Sequence, residues 1–270
     1  MLEVEELTIY PLKGARGLTR PALRIEEVGL ESDRSFVLVN PEGRFISQRQ
    51  LPQLALLHCE RKGPNSVRLA FQGQELELEG PGAATRQVTV WKDSVLARDW
   101  GEPASAFLSR ALGQPLHLCS AIPEEPRLVK PASTGGLRVP YFFADAFPFL
   151  IISQESLDDL NARLRAKGAA PVPMNRFRPN IVIKGWEPYA EDQPRRIRIG
   201  AKIELVLARS CTRCLVTTID QDQGVRGREP LETLASYRQR EGAIHFGQNA
   251  YLACGGGEII QKGDPVTLLD

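Results

Sequence analysis

The sequence predicts a mainly β protein with a few helices, an α+β chain in two β-rich parts. Three observations lead there. Short apolar runs recur about every 8–12 residues with turn residues between them, a spacing that favours sandwiches or barrels over strand–helix–strand units. Helical periodicity is confined to three stretches. A segment near residues 120–135, SAIPEEPRLVKPASTGG, is rich in Pro, Ser and Gly and has no period, so it divides an expected domain 1–120 from an expected domain 121–270.

In chain order, Glu3 to Tyr10 reads as a first strand and Ser35 to Val39 as a second. Asn40-Pro41-Glu42-Gly43 is turn chemistry, and Arg44 to Gln48 then returns as the other arm of a hairpin. Val67, Leu69 and Phe71 alternate, as do Leu76 and Leu78 and, past Gly80-Pro81-Gly82, Val88, Val90 and Val95. The first helix spans Glu102 to Leu112, with Phe107, Leu108, Ala111 and Leu112 on one face and Gly113 as its stop. The second spans Ser153 to Lys167, capped by Ser153, striped by Leu157, Leu160 and Leu164, and ended by Gly168. The third starts at Pro230 and carries Leu231, Leu234 and Tyr237. Strands are expected again at Asn180 to Ile183, Ile203 to Leu207, Ile259-Ile260 and Val266 to Leu269.

Composition excludes several function classes. The 270 residues are 42% hydrophobic and 25% charged, with 34 Lys and Arg against 33 Asp and Glu. That balance argues against a nucleic-acid groove, which needs a basic excess to neutralise phosphates. No apolar run approaches the roughly 18 residues of a spanning helix; the longest, Phe147 to Ile152, is interrupted by Pro148. The start, MLEVEELTIY, is acidic and strand-like, unlike a secretory signal. Five cysteines, of which only Cys211 and Cys214 are close, suit a reduced cytoplasmic chain better than a disulfide scaffold. Neither a membrane nor a nucleic-acid partner is expected.

Cys211-Thr212-Arg213-Cys214 is the most specific local feature, and it has four readings. A zinc site needs a second ligand pair, and His58, His117 and His245 stand alone. A thioredoxin-like dithiol should open a helix, whereas the following LVTTID reads as strand or turn. Two buried core thiols are the plain reading. The fourth is one thiolate holding a soft or redox-active metal, with Arg213 beside it favouring the thiolate.

Met174-Asn175-Arg176-Phe177-Arg178-Pro179-Asn180 carries two arginines that would share one side of an extended segment. Guanidinium groups suit phosphate or carboxylate, although a solvated loop is the commoner setting. Pro11 to Gly17 is a Gly-containing loop in which Lys13 and exposed amides could cradle an anion, or which is a plain turn. Ser32-Asp33-Arg34 offers a lone loop arginine, and Phe246-Gly247-Gln248-Asn249 is read as a turn or a pocket edge after a helix. No hydrolase triad, GxGxxG fingerprint or P-loop is present. Several cationic and amide donors with one thiolate suit an anionic, phosphate-bearing metal cofactor.

The segments YPLKG, DRSFVLV, NRFRPNIVI, YAED, CTRCLVTTID, EPLETLASYR, FGQN and KGDPV occur in an order that resembles the MOSC proteins. MOSC denotes the molybdenum-cofactor sulfurase C-terminal domain. The match is to the branch with a β-barrel N-terminal domain, which contains the mitochondrial amidoxime-reducing component and the bacterial YcbX-like proteins. The resemblance implies a β-barrel MOSC domain packed with a β-rich N-terminal domain. It implies a molybdenum–molybdopterin cofactor with Cys214 as the metal ligand and catalytic thiolate; pyridoxal phosphate is not expected on this chain. Thr212 and Arg213 would line the cofactor, Arg178 and Asn180 would hold the pterin, and Lys13, Gly14 and Arg34 would complete the phosphate end. A loop before FLIIS also contacts the pterin in the family; Ala146-Phe147 stand there in place of hydroxyl residues, so only backbone groups would serve.

The implied activity is an oxidoreductase that removes oxygen from N-hydroxylated compounds (amidoximes, hydroxylamines, hydroxylated nucleobases), a detoxification. The chain stops six residues after Asp264 and shows no second cysteine cluster, so electrons are expected from a separate ferredoxin, flavoprotein or haem protein. The alternatives are a non-catalytic cofactor carrier or sulfur-transfer protein, and a zinc-stabilised β module.

Overall fold

In the computed structural model, residues 1–63 and 65–269 are described. Pro64 and Asp270, which fall inside the two expected domains, lie outside them. Strands dominate, with three α-helices among the described residues: α1 Gly101–Leu112, α2 Gln154–Ala166 and α3 Leu231–Arg238. The mainly β, α+β expectation holds.

A nine-stranded sheet organises the larger part. Its spatial order is Leu18–Thr19, Glu3–Ile9, Ile181–Lys184, Phe149–Ser153, Ala243–Cys254, Ile203–Thr212, Arg196–Ile199 and Val266–Leu269, with Gln239–Arg240 paired beside Ala243–Cys254. The strand Glu3–Ile9, next to one end of this order, meets the segment that leads into the strand at the other end. Glu3 bridges Pro265, Val4 N donates to Asp264 O at 3.0 Å, and Val266 N donates to Leu2 O at 2.9 Å. The sheet therefore curls back on itself, which satisfies edge groups that would otherwise face solvent.

Both faces of its central strands are buried, and alternation sorts the residues. Phe149, Ile151, Ile181 and Ile183 point into the barrel core with Val4, Leu7 and Ile197. Leu150, Ile152 and Val182 point outward, under Leu157, Leu160 and Leu164 of α2 and Leu234 of α3. Ser153 caps α2 as the sequence predicts, its hydroxyl accepting from Ser156 N at 3.0 Å.

The N-terminal part holds a four-stranded sheet in the order Phe36–Val39, His117–Ala121, Asp93–Asp99, Thr85–Val90, and a meander of His58–Gly63, Ser66–Phe71 and Gln74–Glu79. Phe107, Leu108 and Leu112 of α1 pack against Phe36, Leu38, Val67 and Leu69. The expected hairpin return at Arg44 to Gln48 is only partly built: Phe45 bridges Val39, whereas Arg44 bridges Thr89. Two strands of the first 30 residues join the barrel, Glu3–Ile9 and Ala22–Glu26, the latter against Ile259–Gln261, whereas the loop between them bonds to the N-terminal part: Lys13 N donates to Phe36 O at 2.8 Å and Arg16 N to Leu57 O at 3.0 Å.

One segment differs from its turn reading, and another takes the turn alternative. Phe246 to Asn249 is no turn; it lies inside the twelve-residue strand Ala243–Cys254. Gly247 sits there at φ +76°, and a Cβ would stand 2.5 Å from Ile152 Cγ1, so the apparent breaker is a close-approach site within a strand. Of the strand-or-turn alternatives after Cys214 the structure takes the turn, a 3₁₀ turn at Leu215–Thr218.

Candidate functional site

A cleft of about 180 Å³ opens between the barrel and the N-terminal part. All ten residues singled out from the sequence line it: Lys13, Gly14, Arg34, Ala146, Phe147, Arg178, Asn180, Thr212, Arg213 and Cys214. Ser47, Gln48, Asp145, Arg209 and Asn249 line it too.

One end is cationic. Lys13 follows the first strand, on a loop whose Gly14 adopts φ +84°; a Cβ there would meet Leu54 Cδ2 at 2.7 Å, so the position requires glycine. The Lys13 ammonium is buried and donates to Phe143 O at 2.8 Å and Asp145 Oδ1 at 2.5 Å. Burial pushes its pKa below the ordinary value, and the Asp145 carboxylate opposes that. Trp91, at the tip of the hairpin between Thr85–Val90 and Asp93–Asp99, donates to the same Asp145 oxygen at 3.2 Å.

Arg34 and Arg178 both hold left-handed backbone, φ 46° and 57°, a strained state for a bulky residue that clusters at functional sites. Arg34 pairs with Asp33 at 2.5 Å and donates to Arg178 O at 3.1 Å. Arg178 is 9% exposed, and its one side-chain acceptor among the described residues is the neutral Gln221 amide, 3.1 Å from Nη1. Burial, with the like charge of Arg34 adding, pushes it down to about 10, still a cation at neutral pH. Its Nη2 is buried without any partner. Buried guanidinium donors are rarely left so, and an anion in the cleft would satisfy this one. Asp33 and Asp145 offset Arg34 and Lys13, so of these three cations Arg178 is the one that no carboxylate among the described residues pairs.

The other end holds the thiol. Cys214 follows the strand Ile203–Thr212, and its carbonyl accepts from Thr217 N at 3.1 Å and Thr217 Oγ1 at 3.0 Å, which anchors the turn behind it. Cys214 is exposed on the cleft. Arg213, which lines the cleft, donates its Nη1 to the sulfur of Cys211 at 3.0 Å and its Nη2 to Phe177 O at 2.6 Å. It therefore acts on the half-buried Cys211. No group of three or more His, Cys, Asp or Glu among the described residues stands close enough to hold a metal, which leaves a closed zinc site without its ligand set.

The Arg176–Arg178 segment is not extended. Met174–Arg176 is a 3₁₀ turn, and Arg176 points away from the cleft, donating to Thr217 O, Thr218 O and Glu229 O at 2.9–3.0 Å. It braces the Cys214 turn against the start of α3. Asn180 reaches the cleft wall, yet its side chain is also a strand brace: Oδ1 accepts from Leu150 N at 3.1 Å and Nδ2 donates to Thr8 O at 3.3 Å. Sequence reading missed Gln48, Asp145, Arg209 and Gln221. Asp145 had a faint signal, as the lone acid within the apolar run FFADAF.

Comparison with known proteins agrees with this geometry. The MOSC domain model matches residues 139–267, and the MOSC N-terminal beta barrel domain model matches residues 1–115. Mitochondrial amidoxime-reducing component 1 of Mus musculus is 36% identical, covering 98% of this chain and 82% of that one; the Homo sapiens protein of the same name gives the same figures. Molybdenum cofactor sulfurase of Oryza sativa is 29% identical over 91% of this chain but only 32% of its own length. The chain thus belongs to the MOSC-domain proteins with a MOSC N-terminal beta barrel domain, the family of the amidoxime-reducing components.

Proposed function

We propose that this protein is a molybdenum-cofactor-dependent oxidoreductase that reduces N-hydroxylated compounds with electrons from a separate protein. The observation that carries the reading is the two-ended cleft: a buried arginine with an unpartnered donor at one end and an exposed thiol at the other. A molybdopterin has the matching polarity, with a phosphate remote from its metal. The names of the relatives at 36% identity supply the substrate class.

Lys13, Arg34 and Arg178, with the Gly14 backbone, would bind and neutralise the phosphate. Asn180 and the backbone of Ala146-Phe147 would hold the pterin body, Thr212 and Arg213 would line the cofactor, and the Cys214 sulfur would be the soft ligand. When bound, the molybdenum centre supplies the two-electron acceptance of oxygen from N–OH. The buried Phe147, Phe149 and Phe177 limit water on the apolar wall. Among the described residues no helix is long and apolar enough to cross a membrane. A cytoplasmic setting and a role in removing toxic N-hydroxylated bases belong to this proposal.

The test is turnover of benzamidoxime by protein made in a cofactor-competent host. With NADH alone no benzamidine should form; with reduced viologen or cell extract it should. Turnover with NADH alone would remove the separate donor. A full molybdenum load without viologen-driven turnover would favour a cofactor carrier, the reading that the sulfurase similarity supports.

A further inference from the structure

We infer that a buried amide pair, Gln48 with Gln221, positions Arg178 for the anionic end of the cofactor without consuming its charge. The pair rests on the cofactor reading above and extends it to two residues outside the expected set.

Gln48 is 1% exposed and Gln221 5%. Gln221 Oε1 accepts from Arg178 Nη1 at 3.1 Å and from Gln48 Nε2 at 2.9 Å. Gln221 Nε2 donates to Gln48 Oε1 at 3.0 Å and to Ile219 O at 3.0 Å. Gln48 Nε2 spends its other proton on Gly14 O at 2.6 Å. Every amide proton of the pair and both lone pairs of Gln221 Oε1 are used.

This network has one consistent orientation. A guanidinium only donates, so the Gln221 atom facing Arg178 is its oxygen. That choice turns the Gln48 amino group toward Gln221, and the Gly14 carbonyl completes the chain. The two glutamines are 173 residues apart, one from each part of the protein. Together they tie the Lys13–Gly14 loop, Arg178 and the segment after Cys214 into one unit.

The choice of amide over carboxylate is the informative feature. A glutamate at position 221 would hold Arg178 at least as firmly but would neutralise it. A neutral acceptor fixes the guanidinium and leaves its charge for a ligand. Gln48 and Gln221 are thus positioning residues, acting through Arg178.

The experiment measures pterin per chain after gel filtration, by fluorescence of the oxidised pterin, alongside melting temperature. The variants are Gln221→Glu, Gln221→Met and the pair Gln48→Met with Gln221→Met, each alone and combined with Arg178→Ala. Both single variants should lower retention about tenfold, the size of one lost charge-assisted contact. The double methionine variant leaves Arg178 Nη1, Gly14 O and Ile219 O without their amide partners, so its melting temperature should fall together with retention, and the Arg178→Ala background separates that general loss from the positioning role. In the Arg178→Ala background all three should change retention less than about twofold, because the group they act through is gone. Wild-type retention by Gln221→Glu, or equal losses in both backgrounds, would overturn the positioning role. Wild-type protein free of pterin would overturn the cofactor reading itself.

Discussion

Arg34 and Arg178 share one aromatic ring: their guanidinium carbons lie 4.3 and 4.1 Å from the centroid of Tyr10. Arg34 also donates to the Arg178 backbone carbonyl, and the Tyr10 hydroxyl donates to Pro179 O at 3.1 Å. Two like charges are held together by a common π face and by the adjacent Asp33 carboxylate, which also accepts from Tyr10 N. Such an assembly is costly without an anion to complete it.

Arg178→Ala and Lys13→Ala should each lower pterin retention about tenfold or more, since each removes a charge-assisted contact of roughly 1.5–3 kcal/mol. Arg178 should be the more severe, because Lys13 is already paired with Asp145 and Arg178 has only a neutral acceptor. Gel filtration followed by pterin assay checks this. Wild-type retention in Arg178→Ala would reject the assignment.

Cys214→Ser should abolish turnover and change the metal's absorption, whereas Cys211→Ser should keep much of both. Cys211 is half-buried against the outer core and bonded by Arg213, while Cys214 is exposed in the cleft. Equal loss from the two substitutions would indicate a dithiol site.

Glu191 makes stability depend on pH. Burial pushes its carboxyl above the usual 4.5, with the Ser156 hydroxyl partly opposing. Between 4.5 and the raised value the folded chain keeps a proton that the unfolded chain has released, so this contribution is present at low pH and lost as pH rises through the interval. Glu191→Gln removes that slope. Thermal melts from about pH 4.5 to about pH 7 should show the variant gaining on wild type as pH rises. A constant difference across the series would contradict the sign.

Cofactor-free protein should melt lower and be cut faster near residues 122–136 than loaded protein. Lys13 and Arg34 come from one expected domain and Arg178 and Cys214 from the other, so a ligand touching all four stabilises both by mass action. Limited proteolysis resolves this, and it also tests 1–120 and 121–270 as separable units. Identical cleavage rates would count against a bridged site.

Much of the fold was legible because local rules govern it. Ser153 and Leu157, Leu160 and Leu164 announced α2, and Gly113, at φ 72°, marked the end of α1. Ala243–Cys254 was illegible: Gly247 and its amide neighbours break the alternation, and the strand survives through bulged pairing with Ile203–Thr212. Arg176 and Arg178 looked equivalent in sequence, yet a left-handed backbone at Arg178 sends one to the cleft and the other to the carbonyls around Thr217.

The sequence by itself determined the β-rich class, the three helices and, through its motif order, the residues that meet in the cleft. Only the tertiary structure decided how they act there. It showed that Arg213 serves Cys211, that Asn180 braces two strands, and that Gln48 and Gln221 hold Arg178. The reason is physical. Periodicity and capping act over a few residues and are written locally, whereas a buried hydrogen bond depends on which donor and acceptor the fold brings within about 3 Å, here across 173 positions of chain.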